Sequence, residues 1–168
     1  MSPDEERQFV EFVTSRLPRL HRVAYLLCGD ATRADDVVQA TITALYLQWH
    51  RASRAENLDA YAHRILLRRH VDERRRPWSR VLLGARLPEW TAPADESVED
   101  ADAVRSMLAR LPAGQRAVIV LRFLADLSVE QTAAALGCSE GNVKSQTSRG
   151  LATLRDLITN TPARYRRG

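Results

Sequence analysis

Lysine is almost absent. Of the 25 basic residues in this 168-residue chain only Lys144 is a lysine, so the positive charge is carried by arginine. Arginine suits planar phosphate recognition, but a GC-rich coding bias would enrich it equally, and its positions along the chain must decide. Glycine and proline are scarce, at seven each, which leaves few turns and predicts much helix. Cys28 and Cys138 stand alone, with no CxxC and no neighbouring His-Cys cluster. That excludes a disulfide framework and a cysteine-ligated zinc site, and both are expected as small buried thiols. The four histidines, His21, His50, His63 and His70, lack metal-ligand spacing. Neither a glycine-rich phosphate loop nor a nucleophile elbow is present. No catalytic residue, metal site, cofactor or small-molecule substrate is therefore expected, and the chain reads as a non-enzyme. No apolar run approaches the ~20 residues that cross a bilayer, and no charged-then-apolar leader opens the chain. A cytoplasmic protein without membrane insertion is expected.

What is present is a composition able to bury a core: 45% apolar and 27% charged residues, with a formal charge of +4. The length suits one domain or two small ones. Phe9, Phe12, Val13 and Leu17 recur at helical spacing up to Pro18, which is expected to interrupt that helix. Leu20, Val23, Ala24 and Leu27 continue a second run to Gly29, a natural C-terminal stop, and Asp30 is placed to cap the next helix. A third helix carries Ala34, Val37, Val38, Thr41, Ile42, Leu45 and Trp49 on one stripe, with Asp35, Asp36 and Gln39 elsewhere. A fourth begins near Leu58, turns Tyr61, Ala62, Ile65 and Leu66 inward, and ends at Arg74, Arg75, Arg76 and Pro77. Four helices over residues 1–77 make a first module.

Between Pro77 and Val98 the helical period is lost and the charge changes sign: residues 89–102 hold Glu89, Asp95, Glu96, Glu99, Asp100 and Asp102 with no Lys or Arg. Residues 78–98 are expected as an acidic, flexible linker. A second helical module follows over 99–168, with Val104, Met107, Leu108 and Leu111 before Pro112, then Val118 and Leu121. Ser128-Val129-Glu130-Gln131 has the form of a capping box, Gly137 supplies a tight turn and Ser139 caps the last helix. That helix is expected to face the core with Val143, Thr147, Leu151, Leu154 and Ile158. The fold class is thus all-α, two small helical domains joined by a linker.

A short helix, a glycine turn and a second capped helix are the parts of a helix-turn-helix, whose second helix enters the DNA major groove. Its outward positions Asn142, Lys144, Ser145, Gln146, Ser148 and Arg149 offer donors for phosphates and base edges. The first module has its own basic helix, with six arginines between Arg64 and Arg76 against Asp72 and Glu73. Arg64, Arg68 and Arg75 fall on one face, as needed to follow a phosphate backbone. Asp35 and Asp36 are expected in a first helical turn, where carboxylates meet the helix dipole favourably, and nothing pairs them for catalysis.

These residues resemble the extracytoplasmic-function (ECF) sigma factors of bacterial RNA polymerase, over nearly the whole chain. Ala34-Asp35-Asp36-Val37-Val38-Gln39-Ala40-Thr41 is similar to the core-binding motif of region 2. Leu111-Pro112-Ala113-Gly114-Gln115-Arg116 with Val120-Leu121-Arg122-Phe123 is similar to the opening of region 4, and Gly137 to Ser145 to its helix-turn-helix. Ala24 to Asp30 looks like an actinobacterial subgroup. The resemblance implies that Asp35, Asp36, Val38 and Gln39 contact core RNA polymerase. It implies that Arg64, Arg68, Arg69 and Arg75 lie on the helix that binds and opens the minus-10 promoter element. Lys144, Ser145, Gln146, Ser148 and Arg149 would read the minus-35 element, with Arg122 and Asn142 on phosphates, and an anti-sigma factor is an implied partner. Three positions depart from the family: Arg68 replaces a usual asparagine, Gln146 a usual arginine, and Gly150 a common alanine. The competing readings are a stand-alone helix-turn-helix regulator, which binds DNA tightly without polymerase, and an interaction protein that contacts no DNA.

Overall fold

The computed structural model describes residues 1–74 and 98–160. Arg75 and, apart from Val98, the expected linker lie outside the described residues. The chain divides into two compact units, Met1–Trp90 and Thr91–Gly168, and all regular structure among the described residues is helical.

In the first unit α1 (Pro3–Cys28) is followed by α2 (Ala31–Leu47), a single turn α3 (Trp49–Ala52) and α4 (Leu58–Arg74). Local chemistry sets the ends. The Ser2 hydroxyl accepts from the Glu5 amide at 3.2 Å while the Glu5 carboxylate accepts from the Ser2 amide at 2.8 Å, a reciprocal cap with Pro3 at the first helical position. At the other end Gly29 adopts φ +71° and its amide donates to the Tyr25 carbonyl. Asp30 then accepts from the amides of Thr32 and Arg33, which starts α2, and Asn57 accepts from Ala60 at the start of α4.

Pro18 does not interrupt α1, which runs through it as one helix of 26 residues. The proline removes the bond that the Thr14 carbonyl would accept, but Thr14 and Pro18 both lie on the exposed side, so the lost bond costs less than it would in the core. Packing holds both halves in line. Phe9 and Phe12 lie against the Trp49 ring at centroid distances of 5.3 and 5.9 Å, while Leu20, Val23, Ala24 and Leu27 are buried further along. The core adds Ala34, Val37, Val38 and Leu45 from α2 and Ala62, Leu66 and Leu67 from α4. An ion pair of 2.7 Å between Arg16 and Asp59 ties α1 to α4. Ile65, expected inward, is only half-buried; His63 and His70 are buried instead.

The second unit comprises α5 (Val98–Ala109), α6 (Ala113–Ile119) continuing into a π-helical turn over Val120–Leu124, α7 (Val129–Leu136) and α8 (Glu140–Thr159). Arg116 closes the end of α5: its guanidinium donates to the carbonyls of Leu108, Ala109 and Leu111, in and just beyond the last turn. Val118, Ala133 and Val143 form a shared core between α6, α7 and α8, with Cys138 packed against it. Gly150 is buried where α8 crosses α6. A methyl group there would stand 2.9 Å from Ile119 Cγ1, so its lack of a side chain sets the helix separation. Leu151 and Ile158 do not face the core; they are 39% and 53% exposed. The buried stripe of α8 runs instead through Val143 and Gly150, with Gln146, Thr153, Leu154 and Leu157 half-buried beside it.

Candidate nucleic-acid and polymerase interfaces

Three capping interactions build the helix-turn-helix. The Ser128 hydroxyl accepts from the Gln131 amide at 3.0 Å and the Gln131 side chain accepts from the Ser128 amide at 2.9 Å, fixing the start of α7. Gly137 turns the chain at φ +69°, a left-handed conformation open to glycine at no steric cost. Ser139 accepts from the Asn142 amide at 3.1 Å and starts α8. Because Val143 is fully buried, the rotation of α8 is fixed, and Asn142, Lys144, Ser145, Ser148 and Arg149 are all exposed.

Two expected members of this set are placed differently. Gln146 is half-buried beside α6, its amide nitrogen 3.8 Å from where a methyl on Gly114 would stand; it lies on the packed side of α8. Arg122 is half-buried and donates to the Leu127 carbonyl at 2.8 Å, while its guanidinium sits 5.9 Å from the Phe123 ring centroid. It braces the backbone just before the Ser128 cap. Sequence reasoning missed this because the acceptor is a main-chain oxygen, which no side-chain pattern reveals.

In the first unit Arg64 and Arg68 are exposed, one turn apart on α4. Arg69 is half-buried, and its Nε is enclosed with no hydrogen-bond partner among the described residues. Behind the arginines His63 is 1% exposed. Its Nδ1 lies 2.8 Å from the Asp59 carbonyl and so carries the proton, leaving Nε2 buried and unpartnered. Burial pushes the His63 pKa below the usual histidine range, and nearby Arg19 and Arg16 add to that, against the Asp59 carbonyl and carboxylate.

On α2, Asp35, Asp36 and Gln39 are exposed; the two carboxylates stand past the first turn, not in it, because Asp30 already caps the helix at Ala31, and Asp35 lies 3.3 Å from the half-buried His21. Val38 is 1% exposed and belongs to the core. At helical period it falls on the side of Ala34, Thr41 and Leu45, so it supports the face rather than forming it. The cysteines are likewise not the buried thiols expected. Both are half-buried and neither is in a disulfide: Cys28 ends α1 and Cys138 stands in the turn between α7 and α8, and Cys28 Sγ lies 3.4 Å from His70 Nδ1. Among the described residues no cluster of three or more His, Cys, Asp or Glu side chains is arranged to hold a metal ion. No helix among them is long and apolar enough to cross a membrane.

Two family models match the two units: sigma-70 region 2 over residues 12–80 and sigma-70 region 4 over residues 101–154. The chain belongs to the sigma-70 family, in its ECF group of RNA polymerase sigma factors, which act without catalysis in promoter-specific initiation. It is 34% identical over 157 residues to the RNA polymerase sigma-E factor of Streptomyces coelicolor, covering 92% of this chain and 88% of that one. It is 35% identical over 157 residues to the ECF RNA polymerase sigma factor SigM of Mycobacterium tuberculosis, covering 89% and 77%, which places it with the actinobacterial ECF factors. Among solved structures it is similar to the sigma factor RpoE in complex with the anti-sigma factor NepR from Bartonella quintana. That match has a TM-score of 0.76 and 26% identity, covering 93% of this chain and 99% of that one. CnrH in complex with the cytosolic domain of CnrY matches at a TM-score of 0.70 and 26% identity, covering 94% and 91%.

Proposed function

We propose that residues 1–77 bind core RNA polymerase and the minus-10 element, that 78–98 are a tether, and that 99–168 bind the minus-35 element. The observation that carries this division of labour is the exposed polar and basic face of α8, held in rotation by buried Val143. Asn142, Lys144, Ser145, Ser148 and Arg149 take the minus-35 duplex, Lys144 and Arg149 supplying charge for phosphates or guanine edges. Arg122 and Gln146 act behind them as positioning residues. Arg64 and Arg68 take the phosphates of the minus-10 region, with Arg69 beside them and Arg75 as a further basic contact, while Asp35, Asp36 and Gln39 take polymerase. Neither small unit needs high affinity alone, because linkage makes the second contact intramolecular. Duplex opening costs a few kcal/mol of unstacking, offset by capture of the displaced strand and by polymerase contacts.

The chain works in this reading as a cytoplasmic specificity subunit with no catalytic residues and no cofactor. The likeness to a sigma factor solved with the anti-sigma factor NepR supports an anti-sigma protein as its regulator. The test is to measure minus-35-dependent transcription and polymerase affinity side by side for Lys144→Ala and Arg149→Ala. Weakened minus-35 use with unchanged polymerase binding is expected; lost polymerase binding would refute the assignment of α8. Tight promoter binding by the chain alone, with no initiation, would make it a stand-alone regulator.

A further inference from the structure

The end of α1 pairs a thiol with an imidazole. Cys28 Sγ lies 3.4 Å from His70 Nδ1, a contact that joins the last residue of α1 to the second half of α4. The two partners differ in access. His70 is 8% exposed, and Leu26 and Leu27 beside the thiol are 4% and 3% exposed, while Cys28 itself is half-buried and keeps part of its surface in water. Cys138 supplies the contrast. It is also half-buried, but it packs against the apolar cluster of Val118, Ala133 and Val143.

A thiol reacts as its thiolate. The carboxyl end of a helix disfavours an anion, because its free carbonyls carry partial negative charge, so the place of Cys28 at the end of α1 works against ionisation. His70 works for it. An imidazole nitrogen in contact with a thiol takes its proton and pairs the resulting anion, which turns a weak nucleophile into an active one. The imidazole, not the helix, is therefore what activates this sulfur, and the apolar cluster around Cys138 supplies no base.

We propose that Cys28 is a thiol–disulfide exchange site for small-molecule disulfides, with His70 as its base. The Cys28 sulfur attacks one sulfur of the incoming R–S–S–R as its proton passes to His70 Nδ1. The S–S bond breaks, the R–S⁻ leaving group takes that proton and departs as R–SH, and Cys28 keeps the other half as Cys28–S–S–R. One disulfide is consumed and one formed, so no further oxidant is needed. The adduct has neither a proton to give nor a charge to pair, and the Sγ–Nδ1 bond to a buried histidine is lost. That loosens α4 from α1 on the stretch that carries Arg68 and Arg69, so the adduct weakens the minus-10 contact and a reductant restores it. This last step rests on the assignment of α4 to the minus-10 element. Transient, reversible use of a disulfide is the form that reducing compartments allow.

The test uses the full chain as Cys138→Ser, which leaves Cys28 as its one thiol, and as Cys28→Ser, which leaves Cys138. Each is treated with glutathione disulfide, and adduct formation is followed by intact mass. At pH 7 Cys28 should react about tenfold or more faster than Cys138. Adding His70→Asn to Cys138→Ser, which keeps a polar atom near the place of Nδ1 but cannot take the proton, should remove most of that advantage. At pH 9, above the ordinary thiol value of about 8.5, thiols ionise unaided and the His70→Asn chain should catch up. A deficit that persists at pH 9 would mark lost access and overturn the role of His70; equal rates for the two cysteines at pH 7 would overturn the site. Bound to core polymerase, the Cys28 adduct should hold a single-stranded minus-10 oligonucleotide about tenfold more weakly than the reduced chain, with recovery on adding dithiothreitol. An adduct that binds as well as the reduced chain would overturn the coupling to α4. Failure of the reduced chain to bind that oligonucleotide would refute the minus-10 assignment instead, and the exchange chemistry would stand on its rates.

Discussion

Replacing Gly150 with alanine should destabilise the second unit, against the intrinsic preference of the helix. In an open helix interior the change stabilises by about 1 kcal/mol. Here the added methyl would stand 2.9 Å from Ile119 Cγ1 and 3.2 Å from Cδ1, with Gln115 Cβ at an ordinary 3.6 Å. Ile119 is 6% exposed and cannot swing into solvent. Overpacking of this kind costs about 1–3 kcal/mol, so the net effect is a loss of up to about 2 kcal/mol once the propensity gain is subtracted. In an Ile119→Ala background both crowding atoms are gone, and the same Gly150→Ala change should stabilise by about 1 kcal/mol. The sign therefore reverses between the backgrounds, with a coupling of at least about 1 kcal/mol. Hydrogen exchange on α6 and α8 in the full chain reads the local stability without requiring both units to unfold together. A stabilisation of the wild type by the full propensity gain would refute the argument and make Gly150 merely a weak helix former.

Ser128→Ala removes one half of the α7 capping box and should cost the second unit about 1 kcal/mol, seen as faster exchange in α7, with minus-35 use falling in parallel. Lys144→Ala should reduce the slope of log affinity for minus-35 DNA against log salt by about one, since one phosphate contact is lost; an unchanged slope would remove Lys144 from the phosphate contacts. The depressed pKa of His63 means that the unfolded chain binds more protons than the folded one as pH falls below the ordinary histidine value. Stability of the first unit should hold above about pH 6.5 and fall below it, by at most about 1.4 kcal/mol per pH unit from this group. Exchange in α4 between pH 7 and 5.5 measures this, and a His63→Gln variant should flatten the dependence; an equal slope in that variant would place its origin elsewhere. Val38→Asp should unfold the first unit rather than weaken polymerase binding selectively, which thermal melting distinguishes from Asp36→Arg.

Features set by adjacent residues were legible in the sequence. Gly29 and Asp30, Ser128 with Gln131, Gly137 and Ser139 all do in the structure what their local chemistry predicts, because a cap needs only its own few residues. Pro18 misled for the opposite reason: a local rule for breaking helices gave way to packing on both sides of it. Helical period showed that α8 has two faces but not how much of each its neighbours cover, so Leu151 and Ile158 were expected inside and lie outside. Gln146 and Gly150 acquire their roles from Gly114 and Ile119 on another helix, a relation that no local spacing encodes. Of the candidate site, the charges on α2, α4 and α8 were readable as charges. The separation of Val38, Arg122 and Gln146 from the exposed set comes from tertiary packing and a main-chain acceptor.

The most direct test of the account is run-off transcription from genomic promoter fragments by sigma-free core polymerase to which the purified chain is added, with Asp36→Arg in parallel. The account predicts initiation at specific sites with the wild type and its loss with the variant. Specific initiation that survives Asp36→Arg would contradict the polymerase face, and tight DNA binding that never supports initiation would contradict the function itself.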